Sequence, residues 1–159
     1  ERALPLVNGL IADDPDNPYF HELKGQMLLE NGRVDDSLVP YERMVELAPN
    51  EPLLRTALGK AQVESGRAEL LQPALKNLRV AVRVDPQMRD AWRLLTIVNG
   101  RLGNQGDLAL SQAEYKLLSG DVKAALALAE RATKLLPTGA PGWLRAQDIV
   151  SEANRQLER

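Results

Sequence analysis

His21 is the chain's one histidine, and beside Glu22 it reads as the first half of a zinc-binding HExxH helix. Such a helix needs a second imidazole one turn on, facing the same metal, and a further ligand from elsewhere. The fifth position here is Gly25 and the chain has no cysteine, so neither a metal site nor any other cofactor is expected. His21 is read as a surface residue of a helix. Nucleophilic catalysis meets the same obstacle, because Ser37, Ser65, Ser111, Ser119 and Ser151 lack a histidine to take their proton. The paired carboxylates Asp13-Asp14 and Asp35-Asp36 fall in turns or at helix starts, where acids suit the helix dipole. Gly100-Arg-Leu-Gly103-Asn-Gln-Gly106 has the glycines of a phosphate loop without GxGxxG spacing, a preceding strand or a following Lys-Ser/Thr. It reads as a helix end and a tight turn.

The bulk properties narrow the classes further. A net charge of −2 and a pI near 5.5 give nothing that attracts nucleic acid or anionic lipid. No apolar run approaches the roughly 20 residues of a membrane span. The start, Glu1 to Leu6, lacks the basic and apolar regions of a signal peptide, and the chain is read as a piece of a longer protein. Strand-like alternation is scarce, whereas helical spacing recurs throughout.

The elements that would carry any site emerge when the sequence is laid over itself. At an offset of 34, Pro15 falls on Pro49, Pro18 on Pro52, Gly25 on Gly59, Glu30 on Glu64 and Gly32-Arg33 on Gly66-Arg67. Three more residues near Gln72-Pro73 bring Tyr41 onto Leu78 and Pro49 onto Pro86. Gly25, Gly59 and Ala113 lie mid-helix, where glycine costs about 1 kcal/mol against alanine unless a neighbour must approach closely. Gly32, Gly66 and Gly120 are expected to end helices in left-handed caps. Pro18, Pro52 and Pro141 suit a first helical turn, and Pro49, Pro86 and Pro137 stop the preceding helix. About nine helices follow: 2–13, 18–31, 34–47, 52–65, 69–84, 88–103, 106–119, 121–135 and 141–157.

This period and its positions resemble the tetratricopeptide repeat, a likeness covering nearly the whole chain. It implies an all-α fold, a right-handed superhelical array of antiparallel helix hairpins, over a single domain 1–159. In that layout 1–14 is the second helix of a truncated repeat, 15–49 and 50–86 are repeats, and 87–105 begins an irregular one. A further repeat spans 106–139, and 140–159 is a capping helix. The segments Asn17-Pro-Tyr-Phe-His-Glu-Leu-Lys-Gly25 through Arg33 and Leu135-Leu-Pro-Thr-Gly-Ala-Pro-Gly-Trp-Leu-Arg-Ala-Gln-Asp-Ile149 resemble a narrower group. That group is the C-terminal repeat region of bacterial M48-family zinc metalloproteases of the outer-membrane quality-control type. What this resemblance implies is a periplasmic setting and a non-catalytic region that docks on its own protease domain, client proteins or the outer-membrane assembly machinery. A role covering and gating the protease active site is the alternative.

Repeat arrays of this kind bind protein or peptide segments along the first helix of each hairpin. Carried onto this chain, the groove positions are Tyr19, Glu22, Gln26 and Glu30, then Leu53, Thr56, Lys60 and Glu64, then Asp90, Arg93, Ile97 and Arg101. Where chaperone-binding repeats clamp a terminal carboxylate with Lys and Asn, this chain has Glu22, Gln26, Ala57, Asp90 and Leu94, which do not make a clamp. Trp92 is read as a core aromatic, and Trp143 is left open between core and exposed anchor. Charge is uneven. From Ile11 to Glu51 ten acids face three bases, whereas from Lys76 to Arg101 six bases face two acids. Lys76, Arg79 and Arg83 share one stripe of one helix, a candidate docking surface for an acidic partner when joined by Arg93 and Arg101.

Overall fold

The structure is a computed structural model that describes residues 3–159. Among these residues it is all helical: α1 (Ala3–Asp13), α2 (Pro18–Glu30), α3 (Val34–Leu47), α4 (Pro52–Glu64), α5 (Leu71–Val84), α6 (Arg89–Leu102), α7 (Gln105–Leu118), α8 (Val122–Leu135) and α9 (Pro141–Leu157). The bounds follow the expected punctuation closely. The one altered start is that of α5, preceded by a 3-10 turn at Ala68–Leu70, so that Pro73 falls in the first turn of the α-helix proper. Asn17 caps α2 by accepting the Tyr19 N–H (3.1 Å), and Asp121 caps α8 by accepting that of Ala124 (3.2 Å). At Gly32 the backbone turns left-handed (φ 74°), letting the Arg33 N–H reach back to the Leu28 carbonyl at 2.9 Å.

Packing gathers the chain into two compact units, one ending at Asp85 and one beginning at Pro86. In the first, α2 pairs with α3 and α4 with α5, and α4 also packs on α3 and touches α2. Leu38, Tyr41, Met44, Val45, Leu54, Leu58 and Ala61 form its core. Gly25 and Gly59 are where helices cross. A Cβ on Gly25 would stand 2.6 Å from Cδ1 of Tyr41, and one on Gly59 would stand 2.8 Å from Cγ of Leu78. A buried polar chain also ties α4 to α5: Arg55 Nη1 donates to Asn77 Oδ1 (2.7 Å), and Asn77 Nδ2 donates to Gln62 Oε1 (3.0 Å).

The second unit winds α6 to α9 around a core built mostly of alanines, Ala109, Ala113, Ala129, Ala132 and Ala146, with Leu110 and Ile149. Such small residues let helix axes approach closely. Its polar tie is Glu114 of α7, buried, which accepts a two-pronged bond from Arg145 of α9: Nε to Oε1, and Nη2 to Oε2 at 2.9 Å. That bond raises the Arg145 pKa, so the guanidinium stays charged.

One contact recurs at the repeat spacing and corrects the reading of His21. Far from lying on the surface, His21 is buried, and its Nε2 donates to the Pro15 carbonyl at 2.8 Å. Arg55 Nε does the same to Pro49 (2.7 Å) and Trp92 Nε1 to Pro86 (2.9 Å). In each case a side chain in the first helix closes the carbonyl of the proline six residues back, one that no helical N–H reaches.

Candidate functional site

Antiparallel hairpins that stack side by side bury one face of each first helix and leave another to solvent. In the first unit that open face belongs to α2 and α4. Tyr19 and Leu53, equivalent at the 34-residue offset, are 58% and 68% exposed. Glu22, Gln26 and Glu30 follow Tyr19 along α2; Lys60 and Glu64 follow Leu53 along α4. Gln26 Nε2 donates to Glu30 Oε1 (2.8 Å), and Lys60 Nζ stands 3.8 Å from Glu64 Oε1. Thr56 does not join them. It is buried, and its hydroxyl donates to the Pro52 carbonyl (2.7 Å), so a partner on this face does not reach it.

Beneath this face lies Tyr41 of α3, 3% exposed, with its ring against the Gly25 backbone. Burial first, then the charges of Glu22, Glu30 and Glu64, push its phenol up to about 12. Sequence reasoning passes over Tyr41 because it belongs to a second helix, and only packing through the Gly25 gap brings it near the first-helix acids.

In the second unit the expected positions divide. Arg93 and Ile97 line a mostly apolar cavity of about 270 Å³ with Thr96, Gln112, Tyr115 and Leu128, formed by α6, α7 and α8. Asp90 is engaged by Arg93 (2.8 Å), and both Asp90 and Arg101 are exposed. A second cavity, about 320 Å³, is lined by Glu114, Leu117 and Leu118 of α7, by Arg145, Glu152 and Gln156 of α9, and by Pro86. The repeat frame holds the signal for it. Ala113 takes the place of Gly25 and Gly59, and the groove positions around it on α7 include Glu114 and Leu118, whereas the transfer from sequence places them on α6.

Lys76, Arg79 and Arg83 lie together on α5, exposed, around a shallow hollow of about 250 Å³ with Gln72, Leu75 and Val80. The five serines are occupied by their own helices. Ser37, Ser65, Ser111, Ser119 and Ser151 each donate to a carbonyl three or four residues back, at 2.6 to 3.1 Å. No group of three metal-ligating side chains occurs among the described residues.

Helix hairpins at a 34-residue period, with small residues at the crossings and proline at the repeat borders, decide the architecture. The fold is that of the tetratricopeptide repeat. The tetratricopeptide-repeat family profile matches residues 1–52. Crystal structures of MamA share the fold: one is 18% identical, covers 98% of this chain and 87% of its own, and has a TM-score of 0.69. MamA from Desulfovibrio magneticus RS-1, at 14% identity, covers 99% of this chain and 85% of its own, again with a TM-score of 0.69. A thermophilic TPR protein of Thermus thermophilus is 21% identical over 94% of this chain and 89% of its own, with a TM-score of 0.53. Among curated proteins, a TPR repeat-containing thioredoxin of Arabidopsis thaliana is 33% identical over 79 residues, 50% of this chain. The chain spans 11% of that protein's length.

Proposed function

We propose that this chain is a protein-recognition module whose α2–α4 face receives an extended segment of a partner protein. The observation that carries the reading is the pairing of Tyr19 with Leu53. Two large apolar side chains stand exposed at the same repeat position on consecutive first helices, beside a row of polar and acidic groups. Isolated exposed apolar residues are ordinary, but a row of them at repeat spacing, rimmed by polar groups, fits a binding face. Tyrosine is well suited to such a role, since it offers a large rigid contact area with a polar tip.

A photo-crosslinking amino acid at position 53, in the full-length parent and its native host, tests this directly. Val39, 69% exposed on α3 and lining a hollow with Leu4 and Asn8 of α1, is the control position. A discrete adduct from position 53, lost on Tyr19→Ser and absent from position 39, is expected. Adducts that are the same from both positions, or none from 53, overturn the reading.

The resemblance of segments 17–33 and 135–149 to M48-type proteases supports a finer version. In it the partner is a client or the parent's own protease domain, in the bacterial periplasm. Comparing the parent with and without this region separates recognition from gating. Loss of client choice supports recognition, and a general rise in proteolysis supports gating. Absence of a protease domain from the parent removes both.

A further inference from the structure

In the second unit α6 and α8 both pack against α7, and an open cavity of about 270 Å³ remains among the three. Ile97 of α6, Tyr115 of α7 and Leu128 of α8 give it apolar walls. Leu128 also packs against the alanine-rich core, which ties this wall to the interior of the unit. Thr96 adds no free donor, because its hydroxyl donates to the Trp92 carbonyl at 3.1 Å. Polar groups enter in two ways. Arg93 and Lys116 bring two cations to the lining, which includes no carboxylate. The acids that pair with them, Asp90 at 2.8 Å from Arg93 and Asp121 at 3.7 Å from Lys116, line no part of the cavity. Both pairs are exposed, a class of contact worth little and open to exchange. The Gln112 carboxamide and the Tyr115 hydroxyl bond to no described residue, and neither is sealed from solvent.

We infer that this cavity receives one large apolar side chain, such as leucine, from an acidic segment of a partner protein, with a flanking Asp or Glu paired by Arg93 and Lys116. Water in an apolar hollow makes few bonds, so a side chain that displaces it gains both the released solvent and dispersion contacts. Charge then selects among apolar segments. Two cations and no acid in the lining favour a carboxylate beside the inserted residue and disfavour a lysine there. The free Gln112 carboxamide offers a donor and an acceptor, the pair that a peptide group of the same segment needs. A small amphiphilic acid would match the apolar walls and the cations but leave that carboxamide unused. The cavity shares no residue with the α2–α4 face and lies in the other unit, so the inference does not rest on the reading of that face.

Isoleucine occurs only at positions 11, 97 and 149, which provides a reporter in the cavity and two controls outside it. Ile11 lies on α1 of the first unit, and Ile149 is fully buried in the core of the second. The 159-residue chain is titrated at low salt with acetyl-Glu-Leu-Glu-amide while the isoleucine methyl resonances are followed by NMR. The Ile97 signal is assigned by its loss in Ile97→Val. A saturable shift of Ile97 in the millimolar range, with Ile11 and Ile149 still, is expected. Binding should be about tenfold weaker for acetyl-Glu-Ala-Glu-amide, which lacks the side chain to fill the cavity. It should be severalfold weaker for acetyl-Gln-Leu-Gln-amide, and that preference should vanish in Arg93→Gln/Lys116→Gln, whose side chains are partly exposed and remove charge alone. No saturable shift at Ile97, equal binding of the leucine and alanine peptides, or a Glu preference that survives in the double variant overturns the site. Octanoate binding as tightly as the leucine peptide also overturns it, in favour of a small amphiphilic acid.

Discussion

Why His21 is a histidine is answered by what its neighbours in the repeat do. His21, Arg55 and Trp92 are chemically unlike, and each gives one N–H to a proline carbonyl six residues back. The position selects a donor of sufficient reach, not an imidazole. The signal is present in the sequence as proline followed at a fixed spacing by a donor, but the adjacent Glu22 draws His21 toward metal chemistry. Trp143 also follows a proline, Pro137, by six residues; there the Ala140 N–H takes the carbonyl (3.0 Å), showing that spacing permits the bond without ensuring it. Tyr41 carries a pH prediction at this same scale. Its folded pKa is raised to about 12 from an ordinary 10.0. The unfolded chain thus loses its phenol proton first, and the stability from keeping Tyr41 neutral is fully present below pH 10. It is lost as pH rises through 12. Denaturant midpoints measured across that window should fall more steeply for the wild type than for Tyr41→Phe. Parallel curves would show that the Tyr41 phenol ionises alike in both states.

At the scale of elements, helix borders were the most legible feature because caps and prolines act locally: Asn17, Gly32, Pro52 and Asp121 each do what their chemistry dictates. Pro40 shows the limit of local rules. It sits in the interior of α3, where proline costs about 3 kcal/mol, yet the helix continues because Leu38, Tyr41, Met44 and Val45 bury their side chains in one core. Tertiary burial outweighs propensity there. The groove was only partly legible. Tyr19, Leu53 and the acids of α2 and α4 follow from the repeat frame. Thr56 is lost to a backbone bond, and Glu114 escapes because an irregular helix displaces the frame by one element. The crossing at Gly25 is open to a direct test. Gly25→Ala gains up to about 1 kcal/mol of helix propensity but places a methyl within 2.9 Å of Cγ, the anchored root of the Tyr41 ring. Overpacking of that kind costs roughly 1–3 kcal/mol, so a net loss is expected. Leu78 opposite Gly59 is a branched aliphatic that can change rotamer, so Gly59→Ala should cost less. In a double-mutant cycle Tyr41→Leu should recover at least about 0.5 kcal/mol of the Gly25→Ala loss, whereas additive effects would mean the two residues do not meet.

Across the whole molecule the informative quantity is where charge lies, since the net value of −2 conceals ten acids against three bases in one stretch and six bases against two acids in another. The acidic stretch includes the α2 side of the proposed groove. The basic one includes Lys76, Arg79 and Arg83, gathered on α5 around a hollow floored in part by Leu75 and Val80. Nearby like charges on one helix face raise the local potential, and because they are exposed they act within about 10 Å at ordinary salt. Such a stripe governs the rate at which an oppositely charged surface arrives more than the lifetime of the complex. The candidate docking role therefore predicts a kinetic signature. A labelled polyglutamate peptide serves as the acidic probe, with association followed by stopped flow at low and at physiological ionic strength. Reversing Lys76, Arg79 and Arg83 to Glu should slow association by about tenfold or more at low salt and flatten its salt dependence. Thermal unfolding should be nearly unchanged, because exposed substitutions of this kind usually stay within about 0.5 kcal/mol. If the triple variant associates as fast as the wild type at low salt, the stripe is a solvated helix face and no docking surface.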